Sequence, residues 1–349
     1  MTEIRKDYFS DQLVIVSTER SKHSSDFTTT SRKSENKSKC PLCPGNESMT
    51  PPADLVLVQQ EGTLVKLADE EPDRVKGWSV RVFQSINPAL SPQAALNYGE
   101  SPLYSEPALG YHYVASATPE HSLSFSKIPL DQWGSVLATI QEKTRWLYAQ
   151  RGVAYVSIFI NYRADAGAAF SHPHLELITL PRLPPIIENE AQTMQRSMYE
   201  LGVCPMCSVV SIETGGPRQI LVSDHHIAFS PWAPTHPLEF WIFPKKHQTS
   251  FLKIGQKEIQ DLALILRSTL GGLAKVSNDA AFNLVFHISS EKKTTKQIHW
   301  HIEIYPQLSK ASGFERGTGV HINHISPEAA AEALGAAARR ELAELVGVV

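Results

Sequence analysis

The chain has two Cys-x-x-Cys pairs, a spacing that is typical of metal-binding and redox-active cysteines. Cys40 and Cys43 flank Pro-Leu, Cys204 and Cys207 flank Pro-Met, and together they are all the cysteines of the chain. Thiolates at this spacing can hold a metal ion, usually zinc, or can form a redox pair. The sequence therefore predicts either metal sites or thiol redox motifs at these two places.

Histidines recur after each cysteine pair in the same order, a single histidine and then a His-x-His motif. Along the chain these are His121, His172-Pro-His174, His247 and His299-Trp-His301. Zinc is commonly held by two cysteines and two histidines in a tetrahedron, which leaves no position for a reacting water. We therefore predict two structural zinc sites. Their ligands are Cys40, Cys43, His121 and His172 for the first, and Cys204, Cys207, His247 and His299 for the second.

His174 is a candidate nucleophile, because residues two apart in a strand point the same way and His174 would lie beside the ligand His172. A neutral imidazole that is fixed through one nitrogen presents the other as a nucleophile, which on phosphorus gives a phosphoramidate. The alternative is a histidine that only packs locally. The loop before it, with Arg163 and Gly167, is suited to close approach of a phosphate. Arg20 either adds phosphate-binding charge or is a solvated loop residue.

The order of the motifs indicates an internal repeat, and the predicted elements repeat with it. Apolar residues recur at helical spacing over 133–147 and over 259–273. In each half a strand-like run and then the alternating His-x-His strand follow this helix. The sequence therefore predicts an α+β fold with two homologous halves, residues 1–190 and 191–349, each with an antiparallel sheet and one long helix. A further helix is predicted over 326–346.

Length and composition exclude other classes of protein. The chain has 349 residues, of which 42% are hydrophobic and 20% charged, and its formal net charge is −3. The apolar fraction excludes a disordered chain, and the balanced charge predicts neither nucleic-acid nor membrane partners. No run of about 18 apolar residues predicts a membrane span, and the polar N-terminus lacks the apolar core of a signal peptide. We therefore expect a cytoplasmic protein.

The motifs together resemble the galactose-1-phosphate uridylyltransferase family, the transferase branch of the histidine-triad superfamily. Matching pieces run along almost the whole chain. They are Arg20-Ser-Lys22, Cys40-Pro-Leu-Cys43, Trp78 to Phe83, Asn87-Pro-Ala-Leu90, Ser116 to His121, Ile160 to Gly167, His172-Pro-His174, Trp232 to Lys245, and His299-Trp-His301 with Tyr305-Pro306. The segment Gly313 to Gly319 is most similar to the sub-branch that includes plant ADP-glucose phosphorylase. The resemblance implies tandem duplicated histidine-triad-like halves, of which the first carries the catalytic His-Pro-His.

The resemblance also implies a ping-pong nucleotidyltransferase and a homodimer whose active sites are built from both subunits. His174 would attack the α-phosphorus of a nucleotide sugar, with UDP-glucose as the favoured donor, and a hexose 1-phosphate such as galactose 1-phosphate would then take the nucleotide. Phe83 and Asn87 lie where the family holds base and ribose, and Asn161 and Gly167 lie where it holds the phosphates. The full set of predicted substrate-binding residues is Arg20, Phe83, Asn87, Asn161, Arg163, Gly167 and Ser171.

Glu176 departs from the family pattern, which has at this position a glutamine that hydrogen-bonds the transferred phosphoryl group. An ionised carboxylate cannot donate a hydrogen bond and would repel the phosphate. Glu176 is therefore held neutral, pairs with a cation such as Arg163, faces away, or marks altered activity. With these alternatives open, we predict His174 and Glu176 as the catalytic residues.

The second metal site departs from the family as well. Well-known members use a carboxylate and three histidines, whose equivalents would be Glu188 or Glu190, His287, His299 and His301. His299 cannot complete both arrangements, and thiolates select zinc more strongly than a carboxylate does. We therefore favour the set of two cysteines and two histidines, with iron as the alternative to zinc.

Three functions remain as alternatives. The first is a hexose-1-phosphate uridylyltransferase. The second is a nucleotide-sugar or dinucleotide phosphorylase, which forms the same intermediate but uses inorganic phosphate as acceptor. The third is a zinc-stabilised nucleotide-binding protein that has lost catalysis.

Overall fold

The computed structural model describes residues 2–8, 13–17, 36–93, 99, 102–103, 105, 107–292 and 297–347. The predicted phosphate-binding residue Arg20 lies outside these ranges. In chain order the strands are β1 (Thr2–Lys6), β2 (Leu13–Ser17), β3 (Ala53–Gln60), β4 (Thr63–Leu67), β5 (Trp78–Gln84), β6 (His112–Ser116), β7 (Tyr155–Tyr162), β8 (His174–Leu180), β9 (Gln219–Val222), β10 (His226–Phe229), β11 (Phe240–Pro244), β12 (Phe282–His287), β13 (His301–Pro306) and β14 (His321–Asn323). The helices are α1 (Leu130–Ala149), α2 (Pro185–Leu201), α3 (Pro205–Glu213), α4 (Gln256–Ser277), α5 (Gly313–Thr318) and α6 (Pro327–Val346).

The predicted α+β fold with antiparallel pairing is confirmed, but the sheets of the two halves join into one. Its strand order is β4-β3-β5-β6-β8-β7-β12-β13-β11-β10-β9, and a small second sheet has the order β1-β2-β14. The halves join where β7 pairs antiparallel with β12, which places Asn161 opposite Asn283. The two strands that pair occupy equivalent places along the chain, since β7 follows α1 and β12 follows α4. The boundary predicted after residue 190 falls within α2, and the division into two halves stays a prediction.

The long helices predicted in each half are α1 and α4, and they cover one face of the large sheet. Strand residues alternate between faces, so every second residue of the central strands joins the apolar core under these helices. The strand residues in this core include Ile158, Ile160, Leu175, Leu177, Leu284, Phe286, Ile302 and Ile304. The residues between them point to the other face, and among them are His174, Glu176 and Asn161. The helices thus hold the sheet rigid beneath the candidate site.

The C-terminal helix α6 begins where the sequence predicts. The Ser326 hydroxyl accepts a hydrogen bond from the Ala329 N–H at 3.2 Å, and Pro327 occupies the first turn. The helix packs against α4. None of the helices in the described part of the chain has the length and apolarity that a membrane span requires.

Gly272 sets how closely α4 and α6 approach. A Cβ atom at this position would lie 2.9 Å from the Ala338 backbone nitrogen and 3.1 Å from the Leu334 carbonyl oxygen. We expect Gly272→Ala to lower the free energy of unfolding by about 1–3 kcal/mol, because α6 must move away. Denaturant titration followed by circular dichroism measures this change.

The matched control is Gly134→Ala in α1, where no atom beyond its chain neighbours and its own helix backbone lies within 4 Å of the added Cβ. That substitution should leave stability unchanged or raise it by up to about 1 kcal/mol, since alanine favours the helix. Equal losses in both variants would contradict the role given to Gly272.

Candidate active site and metal clusters

The His174 imidazole is fixed through one nitrogen. Its Nδ1–H donates a hydrogen bond to the His172 carbonyl oxygen at 2.7 Å. The side chain is 2% exposed, and burial lowers the pKa of His174 below its usual value. The ring is therefore neutral at physiological pH, with a lone pair on Nε2. This is the state that nucleophilic attack requires.

Glu176 lies beside His174 on the same face of β8. Its Oε1 is 3.9 Å from His174 Nε2 and 3.5 Å from Asn161 Nδ2, and its Oε2 is 2.8 Å from His112 Nε2. Burial alone raises the pKa of Glu176, but the hydrogen bonds that the carboxylate accepts from His112 and Asn161 favour its ionised form, and the pKa lies below its usual value. Glu176 is therefore ionised, and its partner is His112 rather than Arg163, the cation named in one of the four alternatives.

Arg163 is held away from Glu176 by a residue of the second half. Its guanidinium pairs with the Asp279 carboxylate, which also accepts a hydrogen bond from the Tyr162 hydroxyl at 2.9 Å. The backbone of Arg163 has φ = +68°, in the left-handed region that non-glycine residues rarely adopt. A strained residue held by a half-buried ion pair therefore shapes the loop that leads to His172.

Asn161 and Gly167 lie at the two ends of this loop. The Asn161 Oδ1 atom accepts a hydrogen bond from Asn283 Nδ2 at 2.7 Å, which leaves Nδ2 directed at Glu176. Gly167 is exposed, has φ = +88°, and donates its N–H to the Ala164 carbonyl at 2.9 Å. Asn161 is thus held beside Glu176, and the contact of both residues with substrate stays a prediction.

The predicted nucleoside-binding residues differ in their exposure. Phe83 on β5 is 1% exposed and packs in an apolar cluster with Cys40 and Val114. Asn87 and Ser171 are exposed. The roles of these three residues in substrate binding stay predictions.

The first cysteine pair and its predicted histidines come together in one buried cluster. The ligand atoms of Cys40, Cys43, His121 and His172 all lie within 4.8 Å of one another, and all four residues are buried. The Cys43 Sγ atom is 3.1 Å from His121 Nδ1 and 3.5 Å from His172 Nδ1. Two thiols and two imidazoles at this separation fit a tetrahedral metal ion.

A second hydrogen bond orients His172 for this cluster. Its Nε2–H donates to the Thr118 carbonyl at 2.7 Å, so Nδ1 faces the cysteines without a proton. Burial lowers the pKa of His172 to about 4, so the ring is neutral. Because the carbonyl of His172 also holds His174, the cluster and the candidate nucleophile share one residue.

The second cysteine pair forms a more exposed cluster. The ligand atoms of Cys204, Cys207, His247 and His299 again lie within 4.8 Å of one another. His247 is exposed and Cys207 is half-buried, whereas Cys204 and His299 are buried. The structure therefore brings His299 to the cysteines, as the sequence analysis favoured.

A third cluster lies next to it and was not predicted as a separate group. The ligand atoms of Glu190, His287 and His301 lie within 4.8 Å of one another, and His287 Nδ1 is 2.7 Å from Glu190 Oε1. His287 Nε2 is 3.4 Å from Glu303 Oε2. Burial lowers the pKa of His287, but the two carboxylates outweigh burial and raise it to about 9. Glu303 follows His301 by two residues as Glu176 follows His174, whereas Glu190 and His287 are additional groups in this cluster.

Comparison with known proteins finds relatives that match almost the whole chain. The family described as Domain of unknown function (DUF4921) matches residues 109–344. An ADP-glucose phosphorylase from Arabidopsis thaliana is 30% identical over 95% of this chain and 92% of its own length. A galactose-1-phosphate uridylyltransferase from Thermotoga maritima is 26% identical over 96% of this chain and 98% of its own length. The chain belongs to the galactose-1-phosphate uridylyltransferase family. It also belongs to the DUF4921 family.

A solved structure that is similar to this chain has the same fold. It is an ADP-glucose phosphorylase from Arabidopsis thaliana with bound ADP-glucose, with 29% identity and a TM-score of 0.78 over 96% of this chain and 99% of that one. The predicted membership of the galactose-1-phosphate uridylyltransferase family is thus confirmed, and so is the predicted fold class.

His112 is a residue of the candidate site that sequence reasoning did not single out. The signal that could have found it is positional, since His112 begins β6 and points to the same sheet face as His174. Its partner Glu176 lies 64 residues away in the chain, and the strand register that joins them is not visible in the sequence.

We expect Cys40→Ser to remove metal and stability together. The first cluster lies within the apolar packing around Phe83 and Trp78, so losing a ligand there opens the core. Elemental analysis should show the loss of about one metal equivalent per chain, and thermal unfolding a loss of more than about 3 kcal/mol.

The comparison variant is Cys207→Ser, which removes a ligand from the more exposed cluster. It should lose metal as well, with a smaller loss of stability. Full metal content in Cys40→Ser would contradict the assignment of the first cluster.

Proposed function

We propose that this chain is a nucleotidyltransferase that acts on nucleotide sugars through a covalent intermediate on His174. The observation that carries the proposal is the geometry of His174. Its Nδ1–H is bound to a backbone carbonyl, so Nε2 keeps a lone pair, and this atom lies 3.9 Å from Glu176 Oε1. Glu176 lies beside the ring on the same strand, and Asn161 on the neighbouring strand β7 contacts Glu176. The names of the relatives support a nucleotide sugar as the donor.

In the proposed first step, Nε2 of His174 attacks the α-phosphorus of the donor. A bond forms between nitrogen and phosphorus, and the bond from phosphorus to the oxygen of the departing sugar 1-phosphate breaks. His174 keeps its Nδ1 proton, so the ring in the adduct carries a positive charge. In the second step an acceptor phosphate oxygen attacks the same phosphorus and releases the neutral ring.

Glu176 supplies the charge that the adduct needs. An ionised carboxylate about 4 Å from a cation is worth about 4 kcal/mol at an effective dielectric of about 20. Before attack the ring is neutral and gains little from the carboxylate, so the benefit grows as the adduct forms. This difference offsets the repulsion between Glu176 and the incoming phosphate, and makes a carboxylate compatible with catalysis.

Two pairs of substrates are candidates, each consisting of a nucleotide donor and an acceptor of the nucleotide. UDP-glucose with galactose 1-phosphate is the pair that the sequence favours. ADP-glucose with inorganic phosphate is the second candidate, and it is favoured by the ADP-glucose phosphorylase relative and by the bound ADP-glucose in the similar structure. Both pairs use the same intermediate on His174.

We propose zinc as the metal of both Cys₂His₂ clusters, with iron as the alternative in the second. Zinc would supply a rigid structural anchor and no reacting water, since four protein ligands fill its coordination. His172 would then hold the metal through Nδ1 and the nucleophile through its carbonyl. A homodimer with shared active sites also stays a proposal.

The central prediction is a nucleoside-monophosphate adduct on the intact chain. The protein is incubated with UDP-glucose or with ADP-glucose in the absence of acceptor, and its mass is measured. Wild type should gain the mass of one nucleotide, and the size of the gain identifies the base. Peptide mapping should place the adduct on His174.

The control is His174→Ala, which should bind nucleotide but show no adduct. Wild type that binds both donors without an adduct would contradict the proposed function and favour the non-catalytic alternative. Once an adduct is present, adding galactose 1-phosphate or inorganic phosphate in turn shows which acceptor removes the nucleotide.

A further inference from the structure

We propose that His112 is a positioning residue that holds the Glu176 carboxylate beside His174 and connects it to the loop that carries Asn87. The proposal rests on the proposed function of His174. It explains why this chain has glutamate at position 176 although its family usually has glutamine there.

The strand register brings His112 to Glu176. His112 is paired with Ile178 and Val114 with Glu176, so His112 and Glu176 are diagonal neighbours on one sheet face. A histidine side chain is long enough to span this diagonal. The His112 side chain is buried, and its Nε2 is 2.8 Å from Glu176 Oε2.

A backbone contact fixes which nitrogen of His112 carries the proton. The Ala89 N–H donates a hydrogen bond to His112 Nδ1 at 3.1 Å, so Nδ1 has a lone pair and no proton. The proton of the neutral ring must then be on Nε2, where it is donated to Glu176. His112 therefore acts as a hydrogen-bond donor to the carboxylate without itself being charged.

The same contacts tie His112 to the loop before it. The Ser85 N–H donates to the His112 carbonyl at 2.8 Å, and the Ala89 N–H donates to its ring. Asn87 lies between these two anchors. A change at this loop on donor binding would therefore be transmitted to Glu176 through one side chain.

Hydrogen-bond donors face both oxygens of Glu176, and this arrangement favours a carboxylate over an amide at position 176. His112 donates to Oε2, and Asn161 Nδ2 donates to Oε1 because its own oxygen is already used by Asn283. A glutamine in this position would place its NH₂ group against one of these two donors. A buried donor facing a donor loses its hydrogen bond, which is costly. Glutamate accepts from both sides and supplies the negative charge as well.

A double-mutant cycle on the rate of adduct formation tests the proposal. The variants are His112→Leu, Glu176→Gln and the double variant, each in a single-turnover measurement with the donor that labels wild type. We expect each single variant to be slower by about tenfold or more. The double variant should be no slower than the worse single one, because glutamine no longer faces the His112 donor. If the rate loss in the double variant equals the product of the two single losses, the two residues act independently and the proposal is overturned.

Rescue and structural controls accompany the cycle. His112→Gln keeps a donor for Glu176 and an acceptor for the Ala89 N–H, so it should recover a large part of the rate lost in His112→Leu. His226→Gln changes another buried histidine that contacts a carboxylate, Asp261, at 2.7 Å, and should leave the adduct rate within about twofold of wild type. Unchanged metal content in all variants shows that a lost rate does not come from a lost cluster.

Nitrogen-15 NMR of the histidines gives a readout that needs no turnover. His112 should show a neutral ring with the proton on Nε2, and that proton should shift in Glu176→Ala. A proton on Nδ1 would overturn the proposal while leaving the adduct on His174 intact. Absence of any adduct in wild type would instead overturn the proposed function, and this proposal with it.

Discussion

The hydrogen bond from His174 Nδ1 to the His172 carbonyl is the contact on which the rest of the site depends. It sets the tautomer of the candidate nucleophile and the direction of its free nitrogen. The carbonyl itself is fixed because the His172 ring is held between Thr118 and the Cys43 thiol. The metal cluster and the candidate catalytic group are therefore one unit, built from the start of a single strand.

The second half repeats the hydrogen bond between the second histidine of its His-x-His motif and the carbonyl of the first. His301 Nδ1 donates to the His299 carbonyl at 3.0 Å, as His174 does to His172. Glu303 lies beside His301 as Glu176 lies beside His174, but the second half adds Glu190 and His287, whose ligand atoms lie within 4.8 Å of that of His301. The backbone contact is thus repeated, whereas the proposed chemistry is assigned to the first half, where Glu176 contacts His112 and Asn161.

Local patterns made much of the fold predictable from the sequence. Apolar spacing predicted α1 and α4, and the capping serine and proline predicted α6. The Cys-x-x-Cys turns and the histidine spacing predicted both groups of four side chains that the structure brings together. The joining of the two sheets through β7 and β12 could not be predicted, since strand pairing between distant segments depends on register. For the same reason the partners of Glu176 and Arg163, which are His112 and Asp279, were not found.

The most direct test of the account is a rapid-quench measurement of sugar 1-phosphate release without acceptor. The protein is mixed with nucleotide sugar labelled in the sugar, using whichever donor forms the adduct. A covalent intermediate on His174 predicts a burst of about one sugar 1-phosphate per active chain before any acceptor is added. Release that begins only when galactose 1-phosphate or inorganic phosphate is present would contradict the account, because it would mean direct transfer between the two substrates.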